Sequence, residues 1–201
     1  MNRQLLISEH SKRKSIIKRR LKEFARSKSG DELFLELCFC LCTPQSNAKS
    51  VAGVINESNL QKLKNSDIEE LREMLRKNTR FHNNKARYIV LAREFLPRLN
   101  SLPKDTSIAR EYLISNIKGL GLKEASHYLR NIGYRDLCII DRHVISIMHQ
   151  AGVFAEHRNP RNSKEYLEME KKIKAFAKKL RMDVDEFDLL MWSMKTGFVF
   201  R

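Results

Sequence analysis

The chain has few residues that break helices and few that build strands. Glycine occurs seven times and proline four times in 201 residues. Alternating apolar and polar runs are nearly absent, and apolar residues recur mostly at spacings of three and four, so an all-α fold is expected. No apolar run approaches the ~20 residues of a membrane span, so no membrane partner is expected. Cysteine is limited to Cys38, Cys40, Cys42 and Cys138. The alternate spacing of the first three does not match zinc-finger pairs, and they read as buried thiols of a reducing compartment. His82, His127, His143, His149 and His157 form no recognisable metal set, and neither HExxH nor a P-loop occurs. Acid is short as well: 24 Asp and Glu stand against 39 Lys and Arg, a net charge of +15. That imbalance favours a polyanionic partner, nucleic acid ahead of a membrane surface.

The charge is uneven. Residues 1–28 hold ten Lys and Arg against Glu9 and Glu23. This start has the charge of a transit peptide, but Leu5, Leu6, Ile16, Ile17, Leu21 and Phe24 read as the buried stripe of one or two basic helices from about Arg3 to Ser27. Helix Asp31 to Cys42 is apolar all round, as a central core helix is. Helices are expected over Asn47 to Glu57, Ser66 to Lys77 and Asn84 to Leu96, then a linker marked by Pro97, Ser101 and Pro103. A basic helix from Lys164 to Leu180, capped by Ser163, and a last helix running to about Thr196 complete the pattern.

The central stretch from Ile114 to Val144 carries the chemistry. Helix Ile108 to Ile117 meets the turn Lys118-Gly119-Leu120-Gly121-Leu122, and helix Lys123 to Asn131 follows at once. Two glycines two apart permit positive φ and close backbone approach. Backbone N–H groups of Gly119, Leu120 and Gly121 can serve a phosphate, as successive amides and helix starts do. A lysine attacks carbon only in its neutral form, and a helix start disfavours extra positive charge, so Lys123 is placed as a nucleophile would be. Asp141 follows the apolar run Leu137 to Ile140 and caps helix Arg142 to Gln150; a carboxylate there can stabilise positive charge and move protons.

These residues, KGLGLKEA with its lysine and the downstream IIDRHV, resemble the helix-hairpin-helix DNA glycosylase superfamily. The resemblance covers essentially the whole chain. Within it the chain looks most like the short, second type of 8-oxoguanine DNA glycosylase/AP lyase, on total length, on GLGLKEASHYLRNIGY and on the ending MWSMKTGFVFR. The resemblance implies two helical domains with the DNA cleft between them: 29–125, ending in the hairpin, and 1–28 with 126–201, formed by both chain ends. Lys123 and Asp141 would lie at their junction.

The implied activity is removal of 8-oxoguanine from duplex DNA, followed by strand nicking by β-elimination through a lysine Schiff base. The resemblance makes Lys123 and Asp141 catalytic. It makes Gln45 the residue that fills the gap left by the extruded base, although the segment Thr43 to Ala48 also reads as a plain turn with a Ser or Asn cap. Phe81, beside His82, is implied as a wedge; the alternative is a hydrophobic staple on the following helix. Trp192 is either a stacking surface for a flipped purine or a core aromatic. Arg201 stands where the family usually ends in lysine, within residues that help build the base pocket. No cofactor is required, a monovalent cation at the hairpin carbonyls is implied, and no iron–sulfur cluster is expected because no cysteine follows Cys138. The implied partner is damaged double-stranded DNA, bound by a cytoplasmic, nucleoid-associated monomer that is not secreted. Two alternatives share part of the pattern: a glycosylase/AP lyase for other oxidised bases, and a non-catalytic helix-hairpin-helix binding module.

Overall fold

Side chains that cap the backbone set where most helices begin. The computed structural model describes residues 2–200. It contains eleven α-helices, and no strand occurs among the described residues. Helix α1 (Arg3–Ala25) is one continuous helix capped by Asn2, with Leu6, His10, Ile17, Leu21 and Phe24 buried. Leu5 and Ile16, expected in that stripe, are each 46% exposed. Neighbours in a helix point about 100° apart, so Leu5-Leu6 and Ile16-Ile17 can each bury only one member. His10 takes a place in the stripe instead, with its Nε2 2.6 Å from the Glu186 carboxylate.

Helix α2 (Gly30–Cys42) opens on a capping box between Ser29 and Glu32, and every residue from Leu33 to Cys42 is buried. All four cysteines are free and buried. Asn47 caps α3 (Ala48–Val54), which ends before Glu57 because a 3-10 turn, Glu57–Asn59, follows with its own cap at Asn56. The next helix, α4 (Leu60–Asn65), was not expected; it buries only Leu63, so it has no apolar stripe to read. Asp67 caps α5 (Ile68–Arg76).

Helix α6 (His82–Ala92) is followed by a 3-10 stretch, Arg93–Ser101, in place of the expected α-helical end and linker. Pro97 has no N–H for an α-helical bond, and burial of Phe95 and Leu99 keeps the chain wound. Helices α7 (Thr106–Asn116), α8 (Leu122–Asn131) and α9 (Arg142–Gln150) follow. The cap of α10 (Ser163–Lys179) is Asn162, not Ser163, and α11 (Val184–Thr196) runs from Asp183 to Gly197, whose φ of +85° ends it.

Contacts within the chain group it into two compact units, Ser27–Tyr128 and Met1–Arg26 with Leu129–Arg201. In the first, α2 is central and packs against α3, α4, α6 and the 93–101 stretch, while α5 lies on α6. In the second, α11 is central and packs against α1, α9 and α10. The division falls inside α8, so one helix carries the chain from the first unit into the second.

Candidate active site

Helix α7, the turn and α8 as far as Tyr128 belong to the first unit. Ile117 and Leu120 are nearly buried, which anchors the turn by its apolar residues. The Leu120 N–H donates to the Ile117 carbonyl at 3.2 Å, closing the turn. Leu120 therefore holds the turn from within and does not offer its amide to a phosphate. The amides that begin α8 have no carbonyl one turn earlier to bond, and they are the ones an anion can use. Gly119 has φ +99°, and a Cβ on it would lie 2.5 Å from the Tyr88 ring of α6. Gly121 is not in the positive-φ region, contrary to a reading in which both glycines share that role. Arg110 of α7 donates to Ser126 of α8 at 3.2 Å, tying the two helices of the hairpin together.

Lys123 is the second residue of α8 and keeps 34% of its side chain exposed. Its Nζ lies 3.0 Å from the carboxylate of its neighbour Glu124. Acid in the first turn suits the helix dipole, and here it also holds the lysine. The lysine side chain is thus at the surface, oriented by a carboxylate, and next to amides that can fix a phosphate.

Gln45 and Phe81 lie on two loops of the same unit. Asn47, not Gln45, caps α3, accepting from Lys49 and Ser50 N–H at 2.9 and 3.2 Å. Gln45 is exposed and left-handed, with φ +55°. Phe81 has φ +57° and is 53% exposed, so it is not a buried staple. The Arg80 guanidinium lies 5.3 Å from its ring centre. His82, half-buried, is the first residue of α6.

A residue that sequence reasoning treated only as part of a helix start lies beneath these loops. Lys85 is 4% exposed. Burial pulls its ammonium down to about 8; Cys42 opposes that shift, and Lys123 and Arg80 add to it. The signal was present in the spacing: Lys85, Ile89 and Ala92 form one buried stripe of α6, with a lysine where an apolar residue is the norm. His127 is half-buried and packs edge-on against Phe39, with ring centres 5.8 Å apart.

Asp141 belongs to the second unit and caps α9. Its Oδ1 accepts from both His143 and Val144 N–H at 2.8 Å. Among the described residues its Oδ2 takes no hydrogen bond, so one oxygen fixes the carboxylate and the other remains available. The extended segment before it is held without a partner strand. Cys138 N–H donates to Glu170 at 3.1 Å, and Ile139 N–H to Asp188 at 2.9 Å. Asp188 is 2% exposed and also accepts from Arg130 at 2.6 Å. Burial pushes its carboxyl up to about 6, against the pull of Arg130 and the Ile139 amide, with Asp141 pushing upward.

Trp192 is half-buried, with Phe198 at 5.3 Å and Phe200 at 6.3 Å between ring centres. This cluster is partly open, unlike a core aromatic. Sequence reasoning did not single out Phe198 or Phe200; three aromatics within nine residues of the chain end were the available signal. Arg201 lies outside the described residues.

Comparison with known proteins converges on one family. A family model for 8-oxoguanine DNA glycosylase matches residues 17–182. The 8-oxoguanine DNA glycosylase/AP lyase of Methanocaldococcus jannaschii is 36% identical over 199 residues, covering 96% of this chain and 95% of its own. A crystal structure of an 8-oxoguanine glycosylase/lyase of that organism, in complex with a 15mer DNA containing 8-oxoguanine, has a TM-score of 0.90 at 34% identity. It covers 98% of this chain and 100% of that one. The crystal structure of the 8-oxoguanine DNA glycosylase of Thermotoga maritima has a TM-score of 0.92 at 32% identity, covering 99% of this chain and 98% of its own. The all-α fold is thus that of the helix-hairpin-helix glycosylases, and this chain belongs to the 8-oxoguanine DNA glycosylase family.

Proposed function

We propose that the chain excises 8-oxoguanine from damaged duplex DNA and then nicks the strand by β-elimination. The observation that carries this reading is Lys123, which stands directly behind the glycine turn at the start of α8. The names of the relatives, and a relative's structure with DNA containing 8-oxoguanine, support it. The working unit is proposed to be a monomer, in the cytoplasm and at the nucleoid. No helix among the described residues is long and apolar enough to cross a membrane.

The proposed chemistry begins with extrusion of the damaged nucleotide from the stack. Gln45 fills the vacated gap, Phe81 wedges the stack beside His82, and Trp192 with the chain end around Arg201 receives the base. Neutral Lys123 Nζ bonds to C1′ as the glycosidic bond breaks, and the base leaves with the bonding electrons. Asp141 stabilises the positive charge that develops on the sugar. Opening of the sugar ring gives the Schiff base. Loss of a C2′ proton then expels the 3′ phosphate. Gly119 shapes the turn, and Gly121 with the amides that begin α8 holds a phosphate near this lysine. No cofactor enters these steps. A monovalent cation held by carbonyls of the hairpin turn is part of the proposal: backbone carbonyls are neutral oxygen donors that fit a hard ion of low charge, although those of Ile117 and Gly121 already accept from Leu120 and Ala125 N–H. Such an ion would add positive charge for the phosphate.

Borohydride trapping tests the reading. Wild type is expected to form a covalent adduct with a duplex carrying 8-oxoguanine opposite cytosine, seen on a denaturing gel. Lys123→Gln is expected to bind that duplex and form none. An adduct with Lys123→Gln would remove the lysine assignment. Trapping only on a duplex with a preformed abasic site would move the base specificity elsewhere.

A further inference from the structure

The two candidate inserting residues, Gln45 and Phe81, sit on separate loops and share an unfavourable backbone. Their φ values, +55° and +57°, lie in the left-handed region that side chains other than glycine avoid. Such conformations persist where the surroundings impose them. The surroundings here converge on Lys85. Its Nζ donates to the Cys42 carbonyl at 2.7 Å, to the Pro44 carbonyl at 2.8 Å and to Ser46 Oγ at 2.8 Å. An ammonium has three donors, and all three are used.

Ser46 Oγ is the joint between the loops. It accepts from Lys85 and from the Arg80 N–H, the latter at 2.9 Å, and donates to the Pro44 carbonyl at 3.4 Å. Ser46 directly follows Gln45, and Arg80 directly precedes Phe81. The stitch is therefore one residue from each inserting side chain. The Cys42 carbonyl lies in the last turn of α2, where helix carbonyls lack helical partners, so the same ammonium fixes the first loop to the rigid core helix.

We propose that Lys85 is a positioning residue that couples the Gln45 loop to the Phe81 loop through Ser46, so that the two side chains enter the duplex as one unit. This rests on the glycosylase reading above. The coupling governs extrusion of a paired, stacked base; it does not govern the chemistry at Lys123. The low value of the Lys85 ammonium fits this assignment: burial works against its charge, and its hydrogen bonds are what the site gains in return.

The test compares two substrates under single-turnover conditions: 8-oxoguanine paired with cytosine, and a preformed abasic site in the same duplex. Both need Lys123, but only the first needs a paired base to be extruded. Lys85→Met is expected to lower excision of paired 8-oxoguanine by ~10-fold or more, since small misplacements of positioning groups cost that much, and abasic-site cutting by under ~2-fold. Ser46→Ala is expected to shift the ratio of the two rates in the same direction by a smaller factor. It keeps the Lys85 charge, so its effect cannot arise from a changed field at Lys123. It also carries the test if Lys85→Met does not fold. Equal losses on both substrates, or an unchanged ratio in folded Ser46→Ala, would overturn the coupling. Wild type inactive on both substrates would instead overturn the glycosylase reading and this inference with it.

Discussion

Gly119 satisfies two constraints at once. Its φ of +99° suits glycine alone, and a Cβ would lie 2.5 Å from Tyr88 Cδ2, closer than real side chains approach. The Tyr88 ring is rigid and backs the turn, so the backbone or the ring must move to admit a methyl group. Gly119→Ala is therefore expected to cost roughly 1–3 kcal/mol of stability and to weaken duplex binding, as strain at special φ positions does. Gly121 is a control from the same motif. A Cβ there would lie 3.3 Å from Glu124 Oε2, the far end of a flexible side chain that need give only a few tenths of an ångström, and φ imposes nothing. Gly121→Ala is expected to melt close to wild type. Urea unfolding and duplex titration of both variants decide it; equal behaviour of the two would mean that the turn is not built around Gly119. The two glycines look alike in sequence because what separates them, the Tyr88 ring, comes from a helix about thirty residues upstream. The positions of Lys123 at the start of α8 and of Asp141 as the cap of α9 were legible because each follows a local signal, a glycine turn or an apolar run. Lys85 and Ser46 were not, because their partners lie up to 43 residues apart.

At the scale of elements, the segment from Leu137 to Ile140 was readable as extended from its apolar run, but not how it is held. With no neighbouring strand its amides need side-chain acceptors. Helices α10 and α11 provide them through Glu170, Asp188 and Tyr166 for Cys138, Ile139 and Ile140, and through Asp185 for the Asp136 amide just before the segment, at residues 26 to 49 positions away. Asp185 is 1% exposed and accepts from the Asp136 N–H at 3.1 Å, while its Oδ1 has no hydrogen-bond partner among the described residues. Burial pushes its carboxyl up to about 7, from an ordinary 3.8. An acid whose folded value is raised stabilises the fold while protonated; that contribution is full below about pH 4 and is lost as the pH climbs through 7. Asp185→Asn keeps an acceptor for the Asp136 amide and cannot ionise. At pH 8 it is expected to melt a few degrees above wild type, with the gap closing toward pH 4. Thermal melts across that range test the sign; a variant less stable at pH 8 would mean that the buried carboxylate is better paired than this geometry allows. Helix boundaries followed the same logic. Caps such as Ser29, Asp105 and Asp183 are local and visible, whereas α4 and the 93–101 stretch are held by burial that no short window reveals.

For the whole molecule, the dominant quantity is the net charge of +15, which was legible from composition. Some bases are paired within α1, where Glu9 meets Lys12 and Arg13, and Glu23 meets Arg20; these acids are already counted in the +15. Lys14 and Lys22 remain exposed on that helix. Exposed ion pairs contribute little to stability, so the surplus is better read as a reserve for phosphates. Each phosphate neutralised releases counterions, and the affinity then falls as a power of the salt concentration. Six or more such contacts would cost roughly a thousandfold in duplex affinity between 50 and 200 mM salt. Phosphate contacts carry no information about the base, so damaged and undamaged duplexes should lose affinity in parallel, with the ratio between them constant. Lesion preference would then reside in extrusion and in the pocket residues, which do not exchange counterions. Titrations of both duplexes with Lys123→Gln, which is expected to bind without reacting, separate the two contributions. A flat salt response would mean that the basic surplus does not serve DNA. A ratio that falls with salt would mean that the lesion itself is read by charge.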